Sequence, residues 1–161
     1  MENLKASFVH LRSPDSIITK ILDNWDAIKI NKEIQNLILN KQIQNQNSRQ
    51  LIEGLIRLLR DEMENIFNYV LTAYFEDNTN AILIMGLIYD KLGNKEEAKQ
   101  YYEQAAKKQN GFGYYGLYKL TNDMKYLKKS VKLKCSLGLI EHFNILEKEN
   151  IIEYNYMVKL L

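Results

Sequence analysis

The sequence predicts an all-α fold assembled from helical hairpins, and three observations carry that reading. Apolar residues recur at three- and four-residue steps along most of the 161 residues, the spacing of one face of a helix. No segment alternates apolar and polar positions as a half-buried strand does. Pro14 is the only proline, so helix ends must be made by Gly, Asn, Asp and Ser.

Taken in order, Ser13-Pro14-Asp15 is a helix start, with Ser as the cap, Pro at the first helical position and Asp in the first turn. Ile17, Ile18, Ile21, Leu22 and Trp25 give that helix, expected over 14–29, its inward stripe. A second helix over 31–45 carries Ile34, Leu37, Ile38 and Ile43, and the polar run NKQIQNQNSRQ from Asn40 reads as a connection. Residues 1–47 are thus expected to form a helical N-terminal extension, with a repeat array over 48–161, the two making one continuous domain. In that array Ile52, Leu55, Leu59, Met63, Ile66, Val70 and Tyr74 predict a long helix over 49–76, or two helices broken near Asp61.

Residues 81–111 hold the clearest hairpin. A helix over 80–92 carries Ile82, Met85, Leu87, Ile88 and Leu92, with Gly86 three residues before Tyr89. An interior Gly costs a helix roughly 1 kcal/mol against Ala, which the close approach of a neighbouring helix explains. Gly93 can take the left-handed position that ends the helix. Asn94 caps the next helix, with Glu97 three residues on. Ala98, Tyr101, Tyr102, Ala105 and Ala106 form the inward stripe over 95–109. Helices over 112–120 and 123–133 follow, turned by Thr121-Asn122-Asp123, with Tyr126, Leu127, Ser130 and Val131 facing inward. A last pair is expected over 136–148 and 150–160.

Gly86, Tyr89, Gly93, Ala98, Tyr102 and Ala105 stand at the spacings of the tetratricopeptide repeat, which this segment resembles, and YYEQAAKKQNG is similar to the end of a Sel1-like unit. The proline expected near Asn110 is absent, as is the Gly-rich insert of most Sel1-like repeats. The resemblance implies a right-handed α-solenoid and a non-catalytic adaptor or assembly factor that binds another protein. It also implies a groove lined by first-helix residues, here Asn80, Leu83, Ile84, Leu87 and Lys91. Leu83, Ile84 and Leu87 would make that groove apolar. Such a groove suits an amphipathic helix or a second copy of the chain better than a carboxylate tail gripped by cations.

Charge supplies a second reading. From Lys107 to Lys134 there are eight lysines against one acid, Asp123. Lys125, Lys128, Lys129 and Lys132 share one helix face, with Lys119 upstream. This strip suits nucleic acid or another anionic partner, or is the solvated face of an amphipathic helix. It holds no arginine, so the bidentate fork for phosphate or bases is missing. The tyrosines beside it, among them Tyr114, Tyr115 and Tyr118, read as packing between hairpins before they read as stacking platforms.

No pattern carries catalysis. His10 and His142 lack an orienting carboxylate, and no metal-ligand set, phosphate loop or nucleophile elbow is present. No cofactor is expected. A lone Cys135 suits a reducing compartment. No apolar run reaches the roughly 18 residues of a membrane span. The first residues, MENLKASFVHLRS, lack a signal-peptide core, so the expected location is the cytoplasm.

Overall fold

The computed structural model describes residues 2–160 and is all-helical, with no strand among those residues. The chain divides into two compact units, Met1–Tyr101 and Tyr102–Leu161.

In the first unit α1 (Glu2–Val9) precedes α2 (Pro14–Asp23), which is capped as expected: Ser13 Oγ accepts from the Ser16 amide. The helix expected over 14–29 is two. Asn24 leaves helical backbone angles and its side-chain amide donates to the Lys20 carbonyl at 2.9 Å, so α3 (Trp25–Lys29) starts afresh. α4 (Lys32–Leu39) is capped by Asn31 and stops at Asn40, short of the expected 45. α5 (Gln46–Leu59), capped by Asn45, buries Leu51, Ile52, Leu55, Ile56, Leu58 and Leu59.

Residues 1–47 share this core rather than standing off from it. α2 and α4 both pack on α5. Gln35, 1% exposed, donates to the Ile28 carbonyl at 2.8 Å and accepts from Arg60 Nε at 2.7 Å, so its buried amide is satisfied from both sides. A break does fall at Asp61, after which a 3-10 turn (Ile66–Tyr69) and α6 (Leu71–Phe75) lie against α5. Gly54 permits this: a Cβ there would sit 2.9 Å from Tyr69 Cβ.

α7 (Thr79–Lys91) starts at Asn78, whose side chain accepts from the Ala81 amide at 3.1 Å. α8 (Lys95–Lys107) starts at Asn94, which accepts from the Glu97 amide at 3.4 Å. Between them Gly93, at φ 82°, donates to the Asp90 carbonyl while Asn94 donates to Tyr89, the paired bonds of a Schellman turn. The same pair of bonds ends α5, α6 and α8, with Asp61, Asp77 and Gln109 in the left-handed position. These residues and Gly93 stand sixteen apart, and Asn78, Asn94 and Asn110 follow as the caps of successive helices.

The division into units falls inside α8. The second unit contains its last turns, α9 (Gly111–Thr121), α10 (Met124–Lys132) and α11 (Ser136–Leu160). α9 runs close to α8 because Gly113 and Gly116 present no side chain to it. A Cβ on Gly113 would lie 2.8 Å from the Ala106 nitrogen, and one on Gly116 would press into the Tyr102 ring. Asn122 is left-handed and Asp123 accepts from the Lys125 amide at 3.0 Å, as the turn signal implied. A further Schellman turn at Lys134 leads into α11, where Gly138 allows close passage over Ser130. The pair of helices expected over 136–160 is a single helix, since Glu149 and Asn150 offer neither Gly nor Pro to end it.

Candidate interaction surfaces

α7 is enclosed over its first half: every residue from Ala81 to Gly86 is buried. Leu83 and Ile84, expected to line an open groove, are 1% and 0% exposed and belong to the core. The chain itself covers them, because α5 and α6 both pack on α7. Asn80 donates from Nδ2 to Asp15 Oδ1 of α2 at 2.9 Å. Lys91 forms an ion pair with Asp61 at 3.4 Å. Of the five expected groove residues, Asn80 and Leu87 are half-buried and Lys91 is exposed. A helix apolar all round is a buried helix, and the sequence of α7 has that character.

Aromatic rings fill the space beside α7. Tyr89 and Tyr101 stack at 5.4 Å between ring centroids, nearly parallel at 4°, joining α7 to α8. Phe67 and Tyr74 extend the chain of rings at 5.3 Å and 5.7 Å. The Tyr101 hydroxyl is held above the usual phenol range, first by burial, then by Tyr74, Tyr89 and Glu97 nearby and a hydrogen bond with Tyr74. In the second unit Tyr118 is raised in the same way, by burial and then by Glu141, to which its hydroxyl donates at 3.4 Å.

A phenol whose folded pKa lies above its unfolded one stabilises the fold fully below the unfolded value and ceases to do so as pH rises through the folded one. In an alkaline titration followed by ultraviolet absorbance, Tyr101 and Tyr118 should therefore ionise after most of the eleven tyrosines, together with loss of helix. Uniform early ionisation of every tyrosine would contradict this placement.

The lysine strip is exposed throughout: Lys125, Lys128, Lys129 and Lys132 on α10, and Lys119 on α9. Lys125 Nζ sits 3.6 Å from Asp123 and 5.0 Å from the Tyr126 ring centre, and Lys129 Nζ lies 5.4 Å from that of Tyr114. Two of the five are thus steadied by neighbouring rings, a modest attraction at an exposed site. His10 is exposed and His142 half-buried, Cys135 is buried beside Gly111, and no group of metal-ligating side chains assembles among the described residues.

The broadest exposed apolar surface lies on α11. Leu139, Phe143, Leu146 and Met157 are 44%, 65%, 44% and 60% exposed, and their spacing places them in one stripe. Its signal in the sequence is the four- and three-residue step through Leu139, Phe143 and Leu146, which Met157 continues only when α11 is read as one helix.

The hairpin of α7 and α8 decides the comparison with known proteins. Residues 79–107, from the first residue of α7 to the last of α8, match the family model for the tetratricopeptide repeat. This hairpin is similar to a tetratricopeptide repeat. No curated protein and no solved structure matches the chain. Tetratricopeptide repeats generally mediate protein–protein interactions. The first helix of this hairpin is covered by α5 and α6, and no helix among the described residues is long and apolar enough to cross a membrane.

Proposed function

We propose that the chain is a non-catalytic protein-interaction module, an adaptor or assembly factor of the cytoplasm, that takes an amphipathic helix of a partner protein along the apolar stripe of α11. The observation that carries this reading is the stripe itself, since exposed apolar surface on a repeat-type scaffold marks a docking face. The repeat type supports the non-catalytic part of the reading. Leu83 and Ile84, being enclosed, take no part in that docking face.

A second reading assigns the lysine strip to nucleic acid. It is favoured by the placing of Lys125 and Lys129 against tyrosine rings, which pairs cations with aromatic faces as single-strand binders do.

Affinity capture from the native host with three proteins separates the two: the parent, Phe143→Glu with Met157→Glu, and Lys125→Gln with Lys128→Gln, Lys129→Gln and Lys132→Gln. All the substituted residues are exposed, so each variant should keep its helix content. The α11 variant is expected to lose the captured protein, with affinity down on the order of tenfold or more, while the lysine variant keeps it. Loss in the lysine variant alone, with binding that weakens steeply in salt and vanishes on nuclease treatment, would establish the second reading instead.

A further inference from the structure

In the first unit a half-open cavity of about 530 Å³ lies between the residues leading into α2 and those leading into α5. Ile17 and Ile43, both buried, give it an apolar floor, and the amides of Gln42 and Gln44 line its side. Two cations, Arg12 and Lys41, share its wall, and among the described residues no carboxylate does. Lys41 Nζ donates to the Leu11 carbonyl at 2.9 Å and the Val9 carbonyl at 3.3 Å, which ties the ammonium in place and leaves one of its three N–H donors. Burial, and then the nearby Arg12 guanidinium, hold Lys41 below the usual ammonium range, so the two cations are close enough to oppose each other.

Two acids on adjoining hollows are engaged elsewhere. Asp15 accepts from Asn80, and Glu53, on a smaller cavity that also touches Lys41, pairs with Arg57 at 3.3 Å. The starts of α2 and α5, at Pro14 and the cap Asn45, also reach the cavity and add the positive ends of two helix dipoles. The cavity thus has a cationic wall over an apolar floor. Its volume falls within the roughly 300–1,000 Å³ of small-molecule sites.

We propose that this cavity binds a small organic anion, its single carboxylate or phosphate group held between Arg12 and Lys41 and its apolar body seated on Ile17 and Ile43. The guanidinium supplies a planar fork for two oxygens of the anion, and the remaining Lys41 N–H supplies a third bond.

The test titrates the full chain, labelled with nitrogen-15, with phenyl phosphate, phenylacetate, inorganic phosphate and benzyl alcohol. The Arg12 side-chain resonance and the amides of residues 41–45 report on the cavity. Phenyl phosphate or phenylacetate should saturate these resonances about tenfold more tightly than inorganic phosphate or benzyl alcohol, each of which lacks one half of the ligand. Saturation by one acid and not the other upholds the site and identifies its head group. Arg12→Gln alters an exposed residue, so it should leave the melting temperature unchanged and weaken binding about tenfold. Lys41→Gln serves as a second variant, since it also removes two bonds to carbonyls. Failure of both acids to saturate at millimolar concentration, equal affinity for inorganic phosphate and phenyl phosphate, or undiminished binding by Arg12→Gln would each overturn the proposal.

Discussion

Leu83→Glu is expected to unfold the first unit rather than to release a partner. The residue is 1% exposed, within a run of six consecutive buried positions. Removing a buried leucine side chain costs about 2–5 kcal/mol, and an unpaired carboxylate in its place adds a desolvation cost of several kcal/mol unless it takes up a proton. Together these approach the about 5–15 kcal/mol that holds a typical domain folded. Leu87→Glu, at a half-buried position, should be far milder. Circular dichroism and thermal unfolding of the two variants check the contrast. A Leu83→Glu protein that melts like its parent would mean that Leu83 faces solvent and that the open groove exists after all.

Gly113→Ala should destabilise the second unit. Its new Cβ would meet the Ala106 nitrogen at 2.8 Å, the Tyr102 carbonyl oxygen at 3.0 Å and Ala105 Cβ at 3.0 Å. Two of these are backbone atoms of α8, which cannot swing aside as the end of a side chain can. Overpacking of this kind costs about 1–3 kcal/mol or more, against about 1 kcal/mol regained from helix propensity. The expected net loss is about 2 kcal/mol. Gly93→Ala provides the comparison, since its Cβ would meet nothing within 4 Å and only the backbone strain at φ 82° remains, about 1 kcal/mol. Denaturant unfolding of both should rank Gly113→Ala below Gly93→Ala. Equal midpoints would show that α9 does not approach α8 so closely.

The fold class and most helix ends were legible because they are written in local chemistry. Ser13, Asn94 and Asp123 cap helices with their own side chains, and the three- and four-residue period marks the faces. Less legible was punctuation by residues that have no special claim to a turn. Asp61, Asp77, Gln109 and Lys134 are all left-handed although none is glycine. The sixteen-residue spacing of Asn78, Asn94 and Asn110 was the available clue. α1, whose Phe8 is fully buried, has too short a period to stand out. The expected groove failed for a different reason. The faces of α7 are alike in sequence, and which of them a neighbour covers depends on residues far away, at Asp15, α5 and Asp61.

That distance bears on the order in which the chain folds. Every Schellman turn closes through hydrogen bonds spanning three and five residues, so the joints need only local searches and form on the fast timescale of small loops. The bond from Asn80 to Asp15 spans 65 residues and closes a long loop, a slow step by comparison. As the ribosome delivers the N-terminus first, α2 emerges with its capping signal complete and its isoleucines without the helix they will cover. That face must wait for α5, and the Asp15 carboxylate waits longer still, for Asn80, several seconds of synthesis at typical rates. Until α5 is made the apolar face of α2 has no partner in the nascent chain, and α5 then provides one from within the same molecule.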